Sequence, residues 1–266
     1  MSERVKYLWI SDTHLLPWQR YKFLSCILDI RPQGVFLTGD ISHSGFTLID
    51  DLEFIAKRIG RPLYFTMGNH DFWFSSFEKV SNQLTSLCQK YPNLVWIDRA
   101  GVVPLNDEAA LIGQMGWYSA DQGNPEYIKY TFDWFMIEDF RKLKTWNQRF
   151  ELFRELAKKD AEKLANKLEE AIETYKTVYA LTHFGGWPEG SRHNSIISEE
   201  FWKPYNTNSY LGPALEKVME KHKKRRLYLF SGHVHSAATL HINRCIEARV
   251  GRGSYHKLSE EEILYI

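Results

Sequence analysis

An α/β fold is what this sequence predicts, on two grounds. Short apolar runs that read as buried strands alternate with amphipathic segments of helical period. Several of those runs also end in compact polar groups, at the place where open α/β sheets gather their functional side chains. Val5–Ile10 is the first strand and leads into Ser11, Asp12, Thr13 and His14. A helix is expected around Arg20–Asp29, before the strand Gly34–Leu37, which ends in Thr38, Gly39 and Asp40. The helix around Leu48–Arg58 is stopped by Gly60 and Pro62. Leu63–Thr66 follows as a strand ending in Met67, Gly68, Asn69, His70 and Asp71. Shorter strands are expected at Leu94–Ile97, Val102–Leu105 and Ala109–Gly113. Val178–Leu181, Leu227–Phe230, Ala238–Ile242 and Ile263–Tyr265 complete a second strand-rich half, so the sheet is expected to be mixed. From 125 to 176 the period changes. Trp146, Phe150, Phe153, Ala157, Leu164, Leu168, Ala171 and Tyr175 recur three or four residues apart, or at the sum. That stripe predicts a helical insertion over 125–176 within a single domain of 1–266.

Thirty-four Lys and Arg against 33 Asp and Glu leave a formal charge of +1, so no global field draws the chain to nucleic acid or an acidic membrane. An anionic substrate must be held by a local site. Cys26, Cys88 and Cys245 are odd in number and far apart, a poor disulfide framework and a poor zinc pattern. The apolar run Tyr7–Ile10 is too short for a signal peptide, and no stretch approaches the roughly 18 to 20 apolar residues that span a bilayer. A cytoplasmic protein with no membrane partner is expected.

Ten histidines are the compositional oddity, since imidazole is the commonest metal ligand. Asp12 and His14, two residues apart, would project to one side of extended backbone, as would His233 and His235 in Gly232-to-His235. Taken alone, the first pair reads more readily as a surface turn, and the second is evenly balanced between a metal site and none. Gly39 lets the chain turn sharply so that Asp40 points inward, and a carboxylate can bridge two cations. The tetrapeptide Gly68-Asn69-His70-Asp71 would arise by chance on the order of once in a thousand chains of this length, which makes chance a poor explanation. His183 lies just beyond the strand Val178–Leu181 and before Gly185 and Gly186.

In this order, Asp12-x-His14, Gly39-Asp40, Gly68-to-Asp71, His183 and Gly232-to-His235 resemble the signature motifs of the calcineurin-like metallophosphoesterases, over Asp12 to His235. The resemblance implies a four-layer αββα sandwich of two mixed sheets. It implies one metal ion on Asp12, His14 and His235, a second on Asn69, His183 and His233, and Asp40 bridging both. Nitrogen and oxygen donors without thiolate suit two divalent or trivalent ions, manganese first, with iron, zinc or magnesium as other occupants. Two such cations about 3.5–4 Å apart bring a shared water to hydroxide for in-line attack on a phosphate ester. His70 is left to bind phosphate or to act as general acid, with Asp71 or Asp12 holding its ring.

Around the substrate, Thr38-to-Gly45 is similar to the matching segment of bacterial cyclic-nucleotide phosphodiesterases of the superfamily, which suggests a phosphate contact for His43; an exposed turn histidine is the alternative. His43 stands where purple acid phosphatases carry a metal-binding tyrosine, so this chain departs from that branch. Arg192 is a loose substitute for the arginine motifs of protein Ser/Thr phosphatases, and Asn69 also faces substrate. Phe72, Trp73 and Trp187 flank the motifs and read as base-stacking or, more simply, as packing residues. Lys221-to-Arg226 is the one dense basic run; its position at a helix end accounts for it, with nucleic-acid contact as the less favoured alternative. The expected activity is hydrolysis of a small phosphomono- or phosphodiester. A metal-dependent nuclease and a non-catalytic scaffold on the same fold are the alternatives.

Overall fold

The computed structural model describes residues 5–193, 196–197, 200–253 and 262–266. Its first half is built from β1 (Lys6–Ile10), α1 (Arg20–Ile30), β2 (Gly34–Thr38), α2 (Gly45–Ile59), β3 (Leu63–Thr66), α3 (Phe77–Lys90) and β4 (Leu94–Trp96). These four strands run parallel, and β13 (Ile263–Tyr265) adds an antiparallel edge beside β1. Helices and sheet meet through one face of each strand: Leu8, Ile10, Val35, Leu37, Leu63 and Phe65 share one core with Phe23, Ile27, Leu52, Ile55 and Leu84 of the helices.

After β5 (Val103–Pro104) and β6 (Ala109–Gly113) come the short helices α4 (Asp133–Met136) and α5 (Glu138–Arg141) and the 29-residue α6 (Trp146–Thr174). Thr145 caps α6 by accepting from the Gln148 amide, while the Gln148 side chain accepts from the Thr145 N–H. β7 (Thr177–Leu181), the hairpin β8 (Arg192–His193) and β9 (Ile196–Ile197), α7 (Lys203–Asn206), α8 (Leu211–Met219), β10 (Arg226–Ser231), β11 (Ala238–His241) and β12 (Ile246–Val250) complete the chain. The second sheet has the order β11-β12-β10-β7-β6-β5, parallel at its centre and antiparallel at both edges.

The four-layer sandwich is therefore present. Tyr7, Trp9, Phe36 and Leu264 of the first sheet meet Leu111, Leu181 and Phe230 of the second between the layers. Val178, Ala180, Leu227 and Leu229 turn outward onto α6 and α8. Alternation along strands buried on both sides explains why they read as continuous apolar runs. The 125–176 segment divides its buried side chains: Ile128, Trp134, Phe140 and Phe153 enter the first core, and Ala161, Leu164, Leu168 and Ile172 enter the second. Among the described residues, no helix is long and apolar enough to cross a membrane.

β12 has no counterpart among the expected strands, although it lies inside the second sheet. Its sequence alternates Ile246, Ala248 and Val250 with Glu247 and Arg249, and the Arg249 Nε–H donates to Glu247 Oε1 at 2.7 Å on the opposite face. Five residues with two charges show no apolar run; pairing to β10 and β11 makes them a strand.

Candidate metal centre

The carboxyl ends of β1, β2, β3, β7 and β10 converge, and each delivers one of the polar groups. Gly232 N–H donates to the His183 carbonyl at 2.9 Å and Asp12 N–H to the Gly39 carbonyl at 3.1 Å, so the loops are tied to one another. Alternation in extended backbone is not what aligns the paired ligands. Asp12, His14, Asp40, His233 and His235 have φ of 52°, 40°, 46°, 72° and 52°, five of the eight non-glycine residues in the left-handed region among those described. That conformation costs on the order of 1–3 kcal/mol per residue and persists where the surroundings enforce it, commonly at functional sites. The close approach of loops also explains two glycines: a Cβ on Gly68 would overlap the Asp40 carboxylate, and one on Gly232 would overlap that of Asp12.

Of the three three-residue groups that result among the described residues, two carry a carboxylate, Asp12 with His14 and His235, and Asp40 with His183 and His233, each with ligand atoms within 4.8 Å of one another. Asp40 Oδ2 stands between them, 3.7 Å from His14 Nε2 and 3.5 Å from His183 Nε2. His235 Nε2 lies 3.3 Å from Asp12 Oδ1 and 3.2 Å from His14 Nε2. His183 offers the sharpest test of fit. Its Nδ1–H donates to the Thr38 carbonyl at 2.9 Å, so the neutral ring has only a lone pair at Nε2, yet that atom faces the Asn69 amide oxygen at 3.2 Å and Asp40. A lone pair among oxygens calls for a cation, a proton or a metal ion. Asp12 Oδ2 is likewise buried with no hydrogen-bond partner. The donor set fits metal.

The electrostatics point the same way. Burial would raise the Asp40 pKa, but His183, His70 and His14 outweigh it and hold the carboxyl well below its ordinary value. At His183 burial is overcome by Asp40 and the ring is raised to about 9, whereas burial and the charge of His183 push His233 down to about 3. The buried carboxylates thus attract positive charge strongly enough to charge one imidazole, whose charge in turn keeps its neighbour neutral.

The match to known proteins agrees with this geometry. A family model described as calcineurin-like phosphoesterase covers residues 5–237. The chain belongs to that family. As a calcineurin-like phosphoesterase it is a metal-dependent phosphoester hydrolase, of a family that uses a binuclear metal centre. No curated protein sequence matches it. Among solved structures it is similar in fold to a dimetal phosphatase from Danio rerio, at 10% identity with a TM-score of 0.57, covering 94% of this chain and 87% of that one. The protein TT1561 of Thermus thermophilus is similar at 12% identity with a TM-score of 0.57, covering 94% of this chain and 90% of that one.

Other expected residues of the phosphoesterase fall in varied places. His70 borders the cluster, with Nε2 4.0 Å from Asp40 Oδ2 and its ring stacked on Trp73 at 3.5 Å between centroids. Asp71 does not hold that ring. Its carboxylate accepts from the N–H groups of Gly68, Ser42 and Ile41 at 2.9, 3.0 and 3.2 Å, knitting the second and third loops together. Burial, and then Asp40, push it up to about 7. Asp12 is turned to His235 and the His233 N–H instead, and His70 Nδ1 is buried without a partner. His43 is exposed at the rim, grouped with His14 and His70. Arg192 lines the cavity that opens beside the cluster. Phe72 and Trp187 are buried in the cores, while Trp73 faces the cavity.

Asp133 escaped the sequence reading. It is buried on α4, accepts from the Asn69 amide nitrogen at 3.0 Å, Trp73 Nε1 at 2.7 Å and the Tyr118 hydroxyl at 2.8 Å, and so orients the Asn69 oxygen toward His183. A lone aspartate between Phe132 and Trp134 carries no local signal of that task.

Proposed function

We propose that this phosphoesterase hydrolyses a small phosphomono- or phosphodiester with two metal ions, one held by Asp12, His14 and His235, the other by Asn69, His183 and His233, with Asp40 shared. The carrying observation is the single Asp40 oxygen lying within 3.7 Å of an imidazole from each group. Bound cations supply Lewis-acid polarisation of the phosphoryl group and a lowered pKa for the attacking water. Manganese is the first candidate, with iron, zinc and magnesium as others. His70 stands on the cavity side of the cluster and protonates the departing alkoxide as general acid. Asn69 presents its amide oxygen, and in this reading His43 and Arg192 take phosphate oxygens from the rim.

The nuclease alternative draws less support. Lys221-to-Arg226 leads into the amino end of β10, whose first residue is Arg226, whereas His233 and His235 follow its carboxyl end, about 17–20 Å of strand away. Lys221 is also paired with Glu169 at 3.1 Å. The complete ligand set disfavours a scaffold, and three unpaired cysteines suit a reducing, cytoplasmic setting. The test is a metal-reconstituted assay of an aryl phosphomonoester, its bis-aryl diester, cyclic AMP and single-stranded DNA. Hydrolysis of the small esters after loading, abolished by chelation, is expected. Cleavage of DNA alone would establish the nuclease, and no turnover with no bound metal would establish the scaffold.

A further inference from the structure

We propose that the substrate of this site carries a planar aromatic group, nucleobase or aryl, which stacks in a cavity walled by aromatic side chains beside the metal-binding cluster. The inference rests on the phosphoesterase reading and adds the class of alcohol. The cavity encloses about 490 Å³, within the range of small-molecule sites, and its floor includes Asn69, His70, His233 and His235. An ester bound there by its phosphate must place its alcohol portion against the wall.

That wall is aromatic to an unusual degree. Trp73, Tyr130, Phe132, Phe201, Trp202 and Tyr205 contribute from three separate stretches of chain, while Val234 is the one branched aliphatic side chain among the described lining residues. Flat ring faces reward a flat ring, through dispersion and quadrupole alignment, and a flexible acyl chain has no use for that geometry. The rings are also held in place. Trp73 is anchored through Nε1 to Asp133, Phe201 packs against Tyr127 at 5.2 Å and Trp202 at 4.9 Å, and the Tyr205 hydroxyl donates to the Tyr127 carbonyl. Yet Tyr130, Phe132 and Trp202 remain 68%, 66% and 50% exposed. Large exposed rings grouped at the mouth of a site mark a binding surface rather than a packing one. Charge narrows the class further, because Arg192 is the only guanidinium or ammonium group among the described lining residues. Beyond the metal centre the described lining thus holds one cationic side chain, where a polyphosphate chain would need several.

The test compares kcat/KM within pairs whose leaving groups are all primary alkoxides, using the metal-loaded enzyme: adenosine 5′-monophosphate against ribose 5-phosphate, phenethyl phosphate against n-butyl phosphate, and oleoyl lysophosphatidate against glycerol 3-phosphate. At least about a tenfold preference for the ring-bearing member is expected in the first or second pair, and which pair shows it separates nucleobase from aryl. Trp202→Ala and Phe132→Ala, both at exposed positions, should each lower that preference about tenfold. Preference in the acyl pair alone, no pair differing more than twofold, or a preference untouched by both substitutions would overturn the proposal while leaving phosphoester hydrolysis intact. If no ester is turned over, it is the phosphoesterase reading that fails. Quenching of tryptophan fluorescence by adenosine and by phenethyl alcohol then decides the cavity: saturable quenching lost in Trp202→Ala supports aromatic stacking, and no saturable quenching by either rejects it.

Discussion

Asn69 turns its amide oxygen toward His183 because its amide nitrogen is committed to Asp133, 3.0 Å away on a helix 64 residues further along the chain. An amide has two chemically distinct ends, and only the oxygen serves as a metal ligand. Replacing Asp133 by Leu, of similar size, removes the acceptor that selects the orientation. Asp133→Leu is therefore expected to weaken binding at the Asn69, His183 and His233 site ten- to hundredfold, with the Asp12, His14 and His235 site little changed. Manganese titration calorimetry separates the two; equal weakening of both would refute the orienting role. The unmatched donors should also cost about 1–3 kcal/mol in urea unfolding.

His70 faces the cavity from the edge of the ligand groups, with Trp73 fixing its ring plane. His70→Ala should retain both ions by elemental analysis yet lose about 10²- to 10⁴-fold in kcat on esters with alkoxide leaving groups. A good phenolate leaving group needs less protonation, so the loss there should be much smaller. Equal losses on both substrates would eliminate the acid role.

Gly68 and Asp40 are predicted to share a phenotype. A methyl group at Gly68 occupies the space of the Asp40 carboxylate, whose Oδ1 accepts from the His70 N–H at 2.9 Å. Gly68→Ala should displace that carboxylate, and Asp40→Ala should delete it. Both variants should bind fewer than two ions per chain, as measured by elemental analysis; retention of two ions by Asp40→Ala would refute the bridging assignment.

Asp160 supplies a prediction about stability away from the metal centre. It accepts from the Gln114 amide at 2.7 Å and from the Gly116 and Trp117 N–H groups at 3.1 and 3.0 Å, and burial raises its carboxyl to about 6. The folded state thus holds this proton more tightly than the unfolded chain. The contribution is favourable below about pH 4 and is lost as pH rises through 6. Asp160→Asn keeps an oxygen for the two backbone donors and can offer its N–H to Gln114 Oε1, which is buried without a partner. Relative to the wild type, Asp160→Asn should gain on the order of 2–3 kcal/mol between pH 4 and pH 7 in urea unfolding. A difference that does not move with pH would refute the assignment.

Much of this protein was legible locally. A buried parallel strand needs a run of apolar residues, and the loop beyond it can hold ligands only if Asp, His or Asn is written there, so β1, β2, β3, β7 and β10 and the groups at their ends could be read in order. α1 and α2 announced themselves by period and by the Gly60 stop. β12 could not be read in this way, because Glu247 and Arg249 satisfy each other and its strand character comes from neighbours. The alignment of Asp12 with His14, and of His233 with His235, was expected from extended backbone but is made by left-handed turns that the converging loops enforce.

By itself, then, the sequence determined the α/β class and which donor atoms stand at the strand ends, since both depend on a few consecutive residues. Tertiary structure alone decided what those donors face. Asp71 is one residue from His70 but serves the backbone of another loop, Asp133 orients Asn69 across 64 residues, and Phe132 and Trp202 meet Trp73 at one cavity. Hydrogen-bond partners and cavity walls are set by distances in space, and residues far apart along a chain carry no local mark of the neighbours they will meet.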